Sequence, residues 1–280
     1  MFNPEKLIFK EAIQATMFDG GYNGGEVYWT LDDLKEPSLS FSVESEDKVD
    51  AKGDVIKKFY NSKSVQFTGS TSFFTLSLAA AQMGTDKKIG NENNKIIVPA
   101  REKFVIQPSK DAETPVYSTP LTLKHKAVGI NGSEIPYIYL FENKAQIKSY
   151  SVSTTADSTH FSIGNTDETH STIVLPQDTE IKAGMTVLVY YFYETTEAVD
   201  ITSTTKDYPR SGELWIESIF NEVCDKNKEY IGWVVIKSAQ LSPDTEIPFN
   251  KTGDYSFTIN GTKDYCDESN ELVRFVIPQD

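Results

Sequence analysis

No apolar run in this chain is long. The longest, from Val187 to Tyr193, covers seven residues, and shorter ones are bounded by Gly, Pro, Asn, Asp or Ser. Runs of that size suit strands, whereas a membrane-spanning helix needs about 18 consecutive apolar residues. Residues 38–43, Ser-Leu-Ser-Phe-Ser-Val, alternate polar and apolar with period two, the mark of a half-buried strand. Residues 26–31, 64–68, 95–98, 103–106, 121–125, 137–141 and 147–152 read as further short strands, and 185–193 as a long buried one. Residues 213–220 place Leu214, Ile216 and Phe220 on one face and Trp215 and Ile219 on the other. Residues 233–237, 255–259 and 272–277 complete the set. A 12% aromatic content fits the same class, because rings pack well on pleated, half-buried surfaces.

One segment has helical spacing. Ser70, Thr71 and Ser72 offer N-caps, Phe73, Leu76, Ala80 and Met83 form an apolar stripe expected to pack on the core, and Gly84 stands where a C′ glycine belongs. Strands, one helix, then many strands predict a mainly β fold: an antiparallel β-sandwich or barrel with one packed α-helix. The glycine-rich residues 20–25 read as a loop. Residues 38–68 read as a long β-hairpin whose charged tip, 47–61, carries Val49, Ile56, Phe59 and Tyr60. A single domain over residues 1–280 is expected. The proline-containing stretch 108–120 marks a boundary, with a β insertion at about 115–181 and exposed polar hairpins at 151–172.

The formal charge is −14, so the chain is poorly suited to gripping nucleic acid, whose phosphates call for Lys and Arg. The N-terminal residues show no signal-peptide pattern. Two cysteines, Cys224 and Cys266, make no disulfide framework, and folding in a reducing cytoplasm is expected. Whether the two meet in space stays open.

Motifs for chemistry are weak. His125, His160 and His170 lack metal-ligand partners at usable spacing and read as surface residues. The stretch from Asp225 to Glu229 begins like a calcium loop, but Tyr230 replaces the required glycine, so a hairpin turn is expected. Glu213 and Glu217 share a strand face, the kind of carboxylate pair a glycosidase uses, yet 41 acidic residues make such pairs common by chance. Asn131, Asn250 and Asn260 head glycosylation sequons that read better as turns. No catalytic, metal or cofactor site is expected, and function falls to surfaces.

Several segments carry a family resemblance. Tyr28-Trp-Thr-Leu-Asp-Asp-Leu-Lys-Glu-Pro-Ser-Leu-Ser-Phe-Ser42, Val49-Asp-Ala-Lys-Gly-Asp54, residues 59–63, and above all the passage from Val65 to Gly84 resemble the N-terminal part of bacteriophage tail tube proteins. The phages concerned infect Gram-positive bacteria. Residues 239–247 and 255–259 resemble that family's closing strands, whereas residues 110–210 match it poorly. The resemblance implies a virion protein, folded and assembled in the host bacterial cytoplasm. Hexameric rings would stack into a hollow tube, with a hairpin from each subunit reaching the next ring. It places Val49, Ile56, Phe59 and Tyr60 at that inter-ring contact. Implied partners are further copies of the chain, tape measure and baseplate or tail-terminator proteins, and a sheath if the tail contracts. DNA would pass without specific binding, through a ring carrying about −84 in total. Two rival classes fit the same composition: a β-sandwich binding module, such as an adhesin or carbohydrate-binding domain, and another virion protein such as a capsid decoration subunit.

Overall fold

The computed structural model describes residues 4–20, 25–107, 120–129, 134–165, 168–223, 225–264 and 268–278, with the backbone alone at Asn165 and 225–227. It is mainly β, 56% strand with one α-helix, and its sheets are antiparallel and include a nearly closed, barrel-like one. Two compact units form: Met1–Lys87 with Ile201–Asp280, and Lys88–Asp200.

The chain runs through β1 (Leu7–Phe18), β2 (Val27–Leu31), β3 (Lys35–Val49), β4 (Val55–Thr71) and α1 (Leu76–Met83) into the second unit. There it forms β5 (Lys88–Ile89), β6 (Ile96–Val105), β7 (Leu121–Thr122), β8 (Tyr137–Glu142), β9 (Ala145–Ser153), β10 (His160–Asn165), β11 (Ser171–Val174), β12 (Thr186–Thr195) and β13 (Val199–Asp200). It returns for β14 (Ser211–Glu222), β15 (Asp225–Leu241), β16 (Tyr255–Gly261) and β17 (Arg274–Val276).

In the first unit the strand order is β2-β1-β14-β15-β16-β4-β3, with β17 also on β15. The end strands β2 and β3 are joined by residues 32–34 alone, so the sheet curls until its ends come close. Alternating residues then share one interior: Met17, Trp29, Phe67, Leu214, Ile236 and Phe257 belong to a single buried cluster. Helix α1 adds Leu78 and Ala81 to it. The helix is shorter than its sequence pattern. Thr71 sits in β4 opposite Tyr255, so Ser70 and Thr71 end a strand, Ser72 lies just beyond it, and Thr75 is the N-cap. Phe73 stands outside the helix and exposed, and the buried face is 78–82, so the Phe73-Leu76-Ala80-Met83 stripe does not form the packing surface. The stop is as expected: Gly84 adopts φ 70°, and the amides of Gly84 and Thr85 close on the carbonyls of Ala81 and Ala80.

The second unit has the order β6-β12-β8-β9-β10-β11-β7. Every pair is antiparallel except β9–β10. Its inward residues, among them Leu140, Phe161, Ile173, Val187 and Tyr191, form a second core. Its ends are clasped by the β5–β13 ribbon, in which Ile89 faces Val199 and Lys88 faces Asp200. That ribbon puts the unit's limits well outside residues 115–181. The polar stretch 151–172 is not simply exposed hairpins: it sends fully buried Phe161 and Ser171 into the core.

Candidate functional site

The long hairpin is built by β3 and β4, which stay paired from Lys35 and Ser70 out to Val49 and Val55. The turn is tighter than the 47–61 tip expected from charge, because Asp50 organises it. Asp50 Oδ1 accepts the amides of Lys52 at 2.8 Å and Asp54 at 2.9 Å, and Gly53 takes φ 89°, which its lack of Cβ permits. Only the base of β4 belongs to the sheet proper. β16 pairs with residues 65–71, so from Ser64 outward β3 is the one neighbour of β4 among the described residues. At 3.3 Å per residue, about 33 Å of two-stranded ribbon projects beyond the sheet.

Residues 41–49 and 51–63 of this arm are all exposed. The four residues expected at its contact surface lie here, with exposures of 51% for Val49, 64% for Ile56, 45% for Phe59 and 71% for Tyr60. Neighbouring residues on a strand face opposite ways, so Phe59 and Tyr60 put rings on both faces of the ribbon. Phe41, Val43 and Val55 are exposed too and escaped the sequence reading, although Phe41 and Val43 stood in its alternating pattern. Polar contacts run along the arm. Ser42 and Ser64 hydroxyls meet at 2.7 Å, Ser62 donates to Glu44 at 2.9 Å, Lys58 lies 3.6 Å from Asp47, and Lys57 stands 5.1 Å from the Phe59 ring centroid. A free two-stranded ribbon is marginally stable in water. This one has little beneath it and a large apolar area on offer.

The other sequence candidates do not converge. His125 stacks on Tyr193 with centroids 3.9 Å apart. His160 Nδ1 lies 2.9 Å from Asp157 Oδ2, and His170 contacts the Thr169 hydroxyl. Asp157 also accepts the Thr159 amide, which with His160 holds its carboxyl below the usual range. Glu213 accepts the Trp215 indole N–H at 2.6 Å. Four residues of strand separate Glu213 from Glu217 by about 13 Å between Cα atoms, with Trp215 between them. Asp225 opens β15 and pairs with Glu222, so residues 225–229 are strand and not the hairpin turn.

Asn250 does form a turn, its Oδ1 accepting the Thr252 amide. Asn260 does not: it pairs with Gln66 and Gln240 inside β16, and Gly261 is there because a side chain would strike Val65 and Ile236. Cys224, Cys266, Asn131 and residues 21–24 lie outside the described residues. Among the described residues no three His, Cys, Asp or Glu side chains gather as a metal site, and no helix is long and apolar enough to cross a membrane.

Two polar networks in the second unit carry no sequence signature. Asp178 accepts from Lys148 Nζ at 2.6 Å and from the Tyr150 hydroxyl at 2.9 Å. Glu102 accepts the Tyr191 hydroxyl at 2.5 Å and the Lys124 amide at 2.8 Å. Burial first, then the neighbouring carboxylate, pushes both tyrosines above their usual range. These networks brace strands. No protein-family model matches the chain, and no curated protein matches it.

Proposed function

We propose that this chain is a structural subunit that assembles with copies of itself, the tail tube subunit of a bacteriophage virion. Rings of six would stack into a hollow tube, with tape measure, baseplate or terminator proteins at its ends and DNA passing inside. The observation that carries the reading is the arm: a ribbon of about 33 Å with apolar side chains on both faces and no covering surface among the described residues. An ordered ribbon of that kind gains stability when a partner buries it, at about 25 cal/mol per Å² of apolar surface. The strongly acidic composition supports a wall that duplex DNA does not adhere to.

The binding-module reading draws on a different feature, the exposed Tyr137, Tyr190 and Phe192 on the second unit. Negative-stain microscopy of the purified chain separates the two. Hollow tubes or six-fold rings support the tube subunit, and monodisperse monomers at high concentration overturn it. Ile56→Asp combined with Phe59→Asp should leave the monomer folded and abolish stacking. Tubes formed by that variant would remove the arm from the interface.

A further inference from the structure

Strand β4 has an apolar cluster at each end. It starts at the arm tip with Val55 and finishes at Thr71, about 55 Å away at 3.3 Å per residue. Directly beyond Thr71, Phe73 and Phe74 are exposed. Beside them a loop holds Phe249 almost wholly in solvent, at 97%. Phe74, Ile247, Pro248, Phe249 and Tyr255 line a groove of about 350 Å³ whose one charged lining residue is Lys251. The Phe74 and Tyr255 rings pack with centroids 5.7 Å apart, so the groove has a formed floor. Clustered exposed phenylalanines of this kind mark a contact surface.

We infer that this groove receives the arm tip of a second copy, so that copies join head to tail along β4. The inference rests on the self-assembly reading and names the receptor which that reading lacks. Three observations select the occupant. The arm carries unpartnered large apolar residues, Ile56, Phe59 and Tyr60, of a size to fill a groove of this volume. Over residues 44–58 it bears Glu44, Glu46, Asp47, Asp50 and Asp54 against Lys48, Lys52, Lys57 and Lys58, and the acidic excess lies at the turn, where Asp50 and Asp54 flank Lys52 and suit Lys251. Finally, the two surfaces are unlike and lie at opposite ends of one strand. A contact between unlike patches can run head to tail, and it propagates as a stack when successive copies keep the same strand direction.

Sedimentation velocity on the full chain tests this with three proteins: wild type, the arm variant Ile56→Asp/Phe59→Asp, and the groove variant Phe249→Asp. Phe249 touches almost nothing in its own chain, so its replacement leaves the fold intact, as circular dichroism should show. Wild type should sediment as large assemblies, and each variant alone should stop at its smallest unit. Mixed one to one, the variants should form a species of twice that mass and no larger. The intact arm of one then meets the intact groove of the other, and growth ends there. If Phe249→Asp assembles like wild type, or if two defective variants fail to combine, the groove is not the receptor although self-assembly stands. If wild type itself stays monomeric, the self-assembly reading falls and this inference with it.

Discussion

Gly261→Ala probes whether the first unit is packed as described. Gly261 lies in β16 opposite Val65 of β4 and Ala239 of β15. A Cβ built there stands 2.4 Å from Val65 Cγ1 and 2.7 Å from Ile236 Cγ2, where ordinary contacts begin at 3.4 Å. Both neighbours are essentially buried, at 1% and 0% exposure, and β-branched side chains have few rotamers to retreat into. Relief therefore demands shifts of nearly 1 Å on two sides, which puts the cost near the top of the overpacking range, about 3 kcal/mol. Alanine recovers about 0.7 kcal/mol by restricting the unfolded chain. The net loss should be about 2 kcal/mol, which at a urea m-value of about 2 kcal/mol/M lowers the midpoint by about 1 M.

Tryptophan fluorescence is the assay of choice, because Trp29, Trp215 and Trp233 are the three tryptophans of the chain and all lie in the first unit. The transition so measured belongs to that unit alone, which keeps two-unit unfolding from blurring the midpoint. Adding Val65→Ala should make the pair of substitutions less damaging than their sum by at least about 1 kcal/mol, since it removes Val65 Cγ1, the nearer of the two atoms that crowd the new Cβ. A midpoint shift below about 0.2 M, or full additivity, would refute the packing described between β4, β15 and β16.

The second unit should show a stability plateau with two flanks, read by far-ultraviolet circular dichroism against pH. Tyr191 and Tyr150 have raised pKa values in the folded chain, so their contribution is complete below the ordinary tyrosine value of 10.0 and is lost as pH climbs above it. Asp178 is lowered by the Glu180 amide and then by Lys148, so its contribution is complete above 3.8 and is lost as pH falls below that. Tyr191→Phe should flatten the alkaline flank and leave the acid one alone; an unchanged alkaline flank would sink the assignment.

Much of the fold was legible because the strongest local signals agreed with tertiary placement. Val187 to Tyr193 is a strand, buried at Val187–Val189 and Tyr191 though its other face shows Tyr190 and Phe192 to solvent, and Gly84 ended the helix as its αL geometry requires. Misreadings arose where pairing across the chain outweighed local preference. Ser70 and Thr71 are good caps, yet hydrogen bonding to β16 took them for β4. Asn-Gly favours a turn, yet at Asn260-Gly261 the glycine serves close packing. Serine and threonine around Phe161 hid a core residue, because one large ring is enough to seat a polar strand. The arm's existence and its four apolar residues were visible, but its reach was not. That depends on where β16 stops pairing with β4, a contact between residues nearly 200 apart.

An arm with two open edges is an aggregation hazard, and its charge pattern bears on how it stays specific. In Val55-Ile56-Lys57-Lys58-Phe59-Tyr60 the two lysines split the apolar residues into pairs. Stacking identical arms in register would place each lysine about 4.8 Å from its copies, and like charges at that spacing oppose cross-β growth. Docking into an unlike groove avoids that in-register stacking of lysine on lysine. Lys57 also covers the Phe59 ring, shielding it until contact. Replacing both lysines by Ser should therefore leave ordered assembly possible while promoting thioflavin-positive aggregates at the expense of regular particles. If aggregation is no faster in that variant across a range of ionic strength, the lysines are not gatekeepers. The protection would then have to come from the twist of the ribbon itself.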